Sequence, residues 1–471
     1  MKFLLWFLLA SIFGCGDSPE SYEIKEKTAD SAKGRDYLLN GDYIGCGVPI
    51  ELMRRMDHLA KKLPDGISLG GGFDSPIFAD PGIEGRHGVN AELNYSYNAF
   101  ESKSGEMVVN SNCLTCHGGV VGDQMIIGLG DSTRDFTTDT GMAPKVLKMF
   151  YESDAEREEA AHLIKSIEGT KDYIRADTIG ANPAINMTYA LFSHRDPATL
   201  EWSVEPLIQP PFKTFPAVDV PPWWRQAKRK TAFYNAEFST GRHRAMALAA
   251  LICADDPQDM VDRDDKFRDV QAYLESLSAP RFPGAINHGW AEEGEAVFND
   301  HCASCHGTYG PDGVYEEKVI PIDVVGTDPE VMNQQTGLNH QRFRSWGEEF
   351  YREVYKEDIF TEGKRGYVAP PLDGVWATAP YLHNGSVPDM ESLLNSRLRP
   401  KYFKRSFDPK EYDIQRMGWP YKTLRYGKRG MWGDKKIYDT TRWSFSNKGH
   451  TFGDHLSQHD RLRVMEYLKT L

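Results

Sequence analysis

Apolar and polar positions along the chain alternate with helical spacing over several stretches, separated by long loops. Residues 47–63 form the first, with Pro49 near the start and Pro64 just past the end, where helices begin and stop. Residues 142–168 make a long helical stretch whose acidic run, Glu152 to Glu159, reads as a solvated face. Residues 241–253 and 259–277 are further helices. Ala279-Pro-Arg-Phe-Pro-Gly284 then breaks the pattern and marks a domain boundary. Residues 290–299 form a helix running into Cys302, and an amphipathic helix over 457–471 closes the chain. Residues 64–98 and 197–224 are loop-like, and strand signals are few. The expected fold class is mainly α with long loops.

The first residues follow a different rule. After Met1-Lys2, Phe3 to Gly14 is an apolar run too short to span a bilayer but suited to a signal peptide, expected over 1–14. It stops at Gly14-Cys15, and a small residue before Cys resembles a bacterial lipoprotein cleavage site, which would place a lipid anchor on Cys15. The competing reading is ordinary cleavage nearby, with Cys15 incidental. Either route exports the chain to the periplasm or cell envelope. The polar segment Ser18 to Gly34 reads as a tether, and the expected organisation is tether 15–40, first domain 41–278 and second domain 279–471.

With 471 residues the chain exceeds what one core serves, in keeping with two domains. At 40% hydrophobic and 26% charged it is an ordinary globular composition. A formal charge of −13 argues against nucleic acid as a partner.

The cysteines carry the chemistry. Four of the seven fall in Cys113-Leu-Thr-Cys116-His117 and Cys302-Ala-Ser-Cys305-His306. Cys-x-x-Cys-His attaches c-type haem: two thiols a helical turn apart add to the porphyrin vinyl groups, and the His ligates the iron. Composition alone predicts only about 0.003 such pentapeptides in a chain of this make-up. A single four-thiolate zinc site is the main competitor. The 186 positions between Cys116 and Cys302 are far beyond usual ribbon spacing, and zinc needs no His after each pair. Two covalently bound c-type haems are therefore expected, one in each of two cytochrome modules, with His117 and His306 as iron ligands. Cys46 and Cys253 remain, as a disulfide or as two isolated thiols. A faint repeat accompanies the motifs: Pro221-Pro222 with Phe233-Tyr234-Asn235, then Pro370-Pro371 with Tyr381-Leu382-His383-Asn384-Gly385.

The segment Ala369-Pro-Pro-Leu-Asp-Gly-Val-Trp-Ala-Thr-Ala-Pro-Tyr-Leu-His-Asn-Gly-Ser-Val387 and the tail Ser446-Asn-Lys-Gly-His450 resemble the bacterial di-haem cytochrome c peroxidase family, most of all the branch that includes the rubber oxygenases. The match is fuller over 280–471 than in the first half. The resemblance implies a reactive first haem that activates peroxide or dioxygen and a second, bis-ligated haem acting as electron relay or reservoir. Peroxidases of the family ligate the second iron with a Met after the His-x-Gly segment. No Met follows Met390 in that stretch here, and in the oxygenase branch a His near the C-terminus takes the place, which His450 fits by context. Met417 and Met431 are its competitors.

Trp223, Trp224 and Tyr234 are candidates for an electron bridge, or for plain core, with Tyr234 where the family often has Trp. Trp224, Tyr234 and His383 are the candidate catalytic residues, His383 alternatively orienting the haem through a hydrogen bond. Arg225, Lys228, Arg229 and Lys230 either neutralise haem propionates or form a solvated face. Expected partners are peroxide or dioxygen, an unsaturated hydrocarbon substrate or a small redox protein, and the membrane through Cys15. The alternative is a membrane-tethered electron carrier without chemistry of its own. The mature protein should exceed its polypeptide mass by two haems on intact mass spectrometry, and Cys15→Ser should release it from the membrane into the soluble periplasmic fraction. A single haem mass, or a wild type already soluble, contradicts the respective reading.

Overall fold

The computed structural model describes residues 28–62, 76–80, 82–238, 242–360, 363–430 and 433–471. The apolar run 3–14, Cys15 and Met431 lie outside them. Helix far outweighs strand, so the mainly α expectation holds. In chain order the principal helices are α1 (Ser31–Asn40), α2 (Ile50–Ala60), α3 (Asp154–Thr170), α4 (Ala184–Ser193), α5 (Asp264–Ser276), α6 (His288–His301), α7 (Glu330–Thr336), α8 (Leu338–Tyr355) and α9 (Gln458–Leu468). Among the described residues, two three-stranded and two two-stranded antiparallel sheets are small additions, the first ordered Val48–Pro49, Met107–Ser111, Tyr97–Glu101. Among the described residues no helix is long and apolar enough to cross a membrane.

Two helix pairs frame the molecule, and both close on a glycine. α1 crosses α5 at Gly34, where a Cβ would overlap the Asp269 carbonyl. α6 crosses α9 at Gly294, where a Cβ would overlap the Arg463 carbonyl. Side-chain caps start three of these helices. Asp30 accepts from Ala32 N and Lys33 N, Asn287 from Trp290 N, and Ser457 from Asp460 N.

This corrects the tether expected over 15–40. Residues 31–40 are helix, and Leu38 and Leu39 are fully buried in the first core. The segment reads as polar because one narrow face, of Gly34, Leu38 and Leu39, makes the contact. The division at 279 also separates chain rather than packing. α8 belongs to the second half in sequence, yet Phe343 stacks on Tyr189 at 4.3 Å and Trp346 on Phe192 at 4.0 Å, inside the first core. The long helical stretch expected over 142–168 is interrupted: a short helix ends at Leu147, and α3 restarts after the Ser153 cap. Cys46 and Cys253 are bonded, with Cα atoms 5.7 Å apart, which settles the open alternative in favour of the disulfide. It closes a span of 207 residues around the first attachment motif.

Gly34→Val and Gly294→Val should each cost about 2–4 kcal/mol, because backbone in contact with backbone leaves no room to relax. Thermal melting of each variant checks this, and an unchanged midpoint would contradict the close crossings.

Candidate functional site

Each attachment motif folds as a single helical turn. The backbone N–H of His117 donates to the Cys113 carbonyl at 3.1 Å, and that of His306 to the Cys302 carbonyl at 3.0 Å. This puts Cys113, Cys116 and His117, and likewise Cys302, Cys305 and His306, on one side of a turn. The four thiols are unpaired. Both turns open onto one continuous cavity of about 1300 Å³, which Cys113, Cys116, His117, Cys302, Cys305 and His306 all line. That volume exceeds the ~300–1,000 Å³ of an ordinary small-ligand pocket.

The wall fits a metalloporphyrin. Among the described residues that line it, the buried ring nitrogens without a partner are His117 Nδ1, His383 Nε2 and His450 Nδ1. Burial pushes His117 and His383 down to about 3 and His450 to about 4, so all three are neutral imidazoles at physiological pH, the form that binds a metal. The two turns nevertheless differ. His306 Nδ1 lies 2.8 Å from the Pro370 carbonyl, which makes it the donor and leaves Nε2 free to ligate. The His450 ring faces His306 with centroids 6.2 Å apart. Two imidazole nitrogens about 2 Å either side of one metal put their ring centres about 6 Å apart. His117 instead stacks on Trp223 at 4.3 Å and 19°, and among the described residues no second imidazole stands opposite it at a comparable distance.

His450 is held by its backbone. Its φ is +45°, its N–H donates to the Val325 carbonyl at 2.7 Å, and Arg399 Nη2 donates to its carbonyl at 3.0 Å. The preceding Gly449 has φ +73°, and a Cβ there would overlap the Gly326 backbone. Met417 lies fully buried in the second core, its carbonyl accepting from the Tyr381 hydroxyl.

The faint repeat becomes two loops of the same shape. Ala232 bridges Phe238 and Tyr381 bridges Val387, and the second and fifth positions have positive φ in both: Phe233 (62°) and Ala236 (61°), Leu382 (67°) and Gly385 (65°). Tyr234 thereby corresponds to His383, and the two meet edge to face at 6.0 Å on the cavity wall. The Tyr234 hydroxyl donates to the Asp219 carbonyl, while His383 stacks on Tyr367 at 4.1 Å.

Of the two tryptophans Trp223 lines the cavity, whereas Trp224 packs in the second core with its Nε1 donating to the Asp373 carbonyl at 2.8 Å. Of the basic cluster, Lys228 pairs with Asp373 and Arg229 with Glu317. Arg225 is buried on the cavity wall with one guanidinium nitrogen unpartnered, a fit for a propionate. Sequence reasoning missed Tyr189, Glu237, Gln335 and His340 on the same wall. Only the nearness of Glu237 to Tyr234 in the chain hinted at any of them.

Arg225→Leu removes a buried positive charge that stabilises the reduced, less positive iron, so a haem potential should fall in spectroelectrochemical titration. Potentials unchanged from wild type would count against contact with a propionate.

Comparisons with known proteins agree with this chemistry. Residues 366–404, which take in the strand Gly366–Val368, Pro370 and the signature segment, match the family described as RoxA-like, cytochrome c-like. Two proteins of Sinorhizobium fredii are similar to the chain. The uncharacterized protein y4iM is 30% identical over 270 residues, covering 51% of this chain and 58% of its own length. The uncharacterized protein y4iJ is 29% identical over 257 residues, covering 41% of each chain. The chain thus spans about half the length of the curated relatives it matches. The profile match relates the chain to RoxA-like cytochromes, and with them to c-type haem iron, electron transfer and haem oxidoreduction in general.

Proposed function

We propose that the chain is an exported di-haem c-type oxidoreductase, built as two cytochrome modules, that activates peroxide or dioxygen at the first haem and uses the second as electron relay. The observation that carries this reading is the inequality of the two turns: an imidazole pair at His306 and His450, and a lone imidazole at His117 backed by Trp223. A c-type haem supplies an iron whose free axial position takes peroxide or dioxygen and whose filled axial positions suit electron transfer.

The chain's residues divide the work accordingly. Cys113 and Cys116, and Cys302 and Cys305, tether the two groups. The Pro370 carbonyl holds His306 in one tautomer and raises its basicity, which favours the oxidised state of a relay. His117 lacks such a partner at Nδ1 and is oriented by stacking alone. Between the turns runs a short route: the Trp223 ring on His117, then Trp224 Nε1 and Arg225 Nε on the Asp373 carbonyl, then three residues of chain to Pro370 and His306. Tyr234 and His383, in equivalent loops, meet between the two modules. Around the first turn the wall is largely apolar, with Leu163, Ile167, Leu191 and Phe192, which favours an unsaturated hydrocarbon or the peroxide derived from it over a charged substrate. Location in the periplasm or envelope, a lipid anchor at Cys15 and a small redox protein as electron partner complete the proposal.

Electron paramagnetic resonance of the oxidised protein tests it: one high-spin and one low-spin ferric signal are expected, whereas two low-spin ferric signals, with the haem left ferric after one-electron reduction still low-spin, would instead make the chain an electron carrier. His450→Ala should convert the low-spin signal to high spin and raise that haem's potential, because a nitrogen donor stabilises ferric iron. A spectrum identical to wild type would remove His450 from the ligand set.

A further inference from the structure

The charge of the chain is not spread evenly. Residues 397–448 carry 15 Lys and Arg against 5 Asp and Glu, whereas the rest of the chain carries 40 against 63. A stretch of net +10 thus sits in a protein of net −13. The fold gathers that stretch into one patch. Tyr402–Arg405 is the central strand of a three-stranded sheet, between Ile437–Asp439 and Tyr421–Thr423. The Leu424 N–H donates to the Tyr402 carbonyl at 2.8 Å, and the Thr440 N–H to the Lys401 carbonyl at 3.1 Å. Lys428 Nζ lies 3.2 Å from Asp177 Oδ1 and Arg442 Nε 3.0 Å from Asp177 Oδ2, so the two loops beside the sheet meet at one acid.

Much of the charge is unanswered within the fold. Lys404 pairs with Asp434, Lys410 with Asp123 and Lys435 with Asp135. Among the described residues, Lys422, Arg425, Arg429 and Lys436 are exposed and form no ion pair. Lys404 and Lys422 stand directly opposite each other on neighbouring strands, both exposed, a like-charge pairing that costs stability. Two large aromatics lie in the same loops with little over them: Tyr426 is 57% and Trp443 49% exposed. The inner side of the sheet already has its core, where Phe403 and Tyr438 pack with Phe215 and Phe445. Burial therefore does not explain why the outer positions are basic and aromatic.

We infer that this patch is a docking surface for an anionic phospholipid bilayer. Lys and Arg meet phosphate headgroups, and Tyr and Trp settle at headgroup level, where an amphipathic ring finds both water and hydrocarbon. The buried basic side chains of the patch, Arg405 and Lys428, bond to Ser132 and Asp177 inside the fold. The unpaired charges all ride on long, exposed stems, which suits a fluid plane of headgroups better than a fixed set of acidic side chains. The patch also adjoins the cavity. Lys435 pairs with Asp135 and Arg405 bonds the Ser132 carbonyl, in a segment whose Asp131, Arg134 and Phe136 line that cavity. Docking brings this wall toward the bilayer, whatever the division of labour between the two turns.

Vesicle sedimentation of the haem-loaded full chain carrying Cys15→Ser tests this, because no lipid at Cys15 can then contribute. Vesicles of equal parts phosphatidylglycerol and phosphatidylcholine should bind it about tenfold or more tighter than phosphatidylcholine alone. Salt at about 0.5 M should release it. Lys422→Glu, Arg425→Glu and Lys436→Glu together should weaken binding about a hundredfold, since each basic side chain at an anionic surface is worth roughly a fivefold change. Their haem absorption should match wild type, because all three positions are exposed. Trp443→Ala should weaken binding severalfold and leave its salt dependence unchanged. Equal binding to both kinds of vesicle, a comparison that needs no patch variant, would overturn the inference, and so would a triple variant that binds like wild type. Capture on dextran sulfate without binding to the anionic vesicles would assign the patch to an acidic macromolecule and equally overturn the bilayer.

Discussion

Backbone contact between helices at two glycines is the constraint on which the rest of the structure depends. At Gly294 the α6 backbone touches α9, and α6 runs without a loop into Cys302, so the distance between two helix axes sets where the second attachment turn lies. A Cβ at that crossing would push the axes apart and displace the thiols that the turn presents. The α1–α5 crossing at Gly34 repeats the device for the first half. There the attachment turn is more than seventy residues further along the chain, and the Cys46–Cys253 bridge and the Val48–Tyr97 sheet supply the stiffness that direct continuity provides in the second half.

On two similar frames the chain builds two unlike environments, and the differences are local. The second His has a carbonyl acceptor behind it and an imidazole in front. The first has an indole beside it and neither of the others. The matching loops show the same divergence: His383 against Tyr234, and Ser386 against Glu237, with the same bridge and the same two positive-φ positions. A loop whose shape is set by a bridge and two positive-φ residues tolerates such change at the positions between.

Legibility in the sequence followed the range of the interactions concerned. The attachment turns and the terminal helix are short-range features, written in consecutive residues and visible in spacing alone. The α1 helix was not legible because its buried face is three residues wide in a polar segment. The α8 helix was missed for a related reason: its aromatic stripe of Phe343, Trp346, Phe350 and Tyr351 is broken by arginines and glutamates. The pairing of Cys46 with Cys253 depends on the approach of two segments 207 residues apart, which no local pattern encodes. His450 was reachable by resemblance. Its opposition to His306 comes from a backbone held at φ +45° against Val325, a tertiary fact.

The placement of α7 and α8 carries a consequence for how the two halves work together. They lie between the second attachment turn and its signature segment, yet they pack into the first core and bring polar groups to the wall of the shared cavity. Tyr351 reaches the Arg244 carbonyl and Trp346 the Arg195 carbonyl, so the insertion is bolted to the first core rather than hung over it. Neither half of the chain can therefore present the first site by itself: the 279–471 half lacks His117, and the 41–278 half lacks the wall that α8 provides. The relay proposed above would need a fixed separation between its two sites, because electron transfer falls steeply with distance. An insertion that packs into the other half's core supplies that rigidity by the same aromatic contacts that shape the cavity.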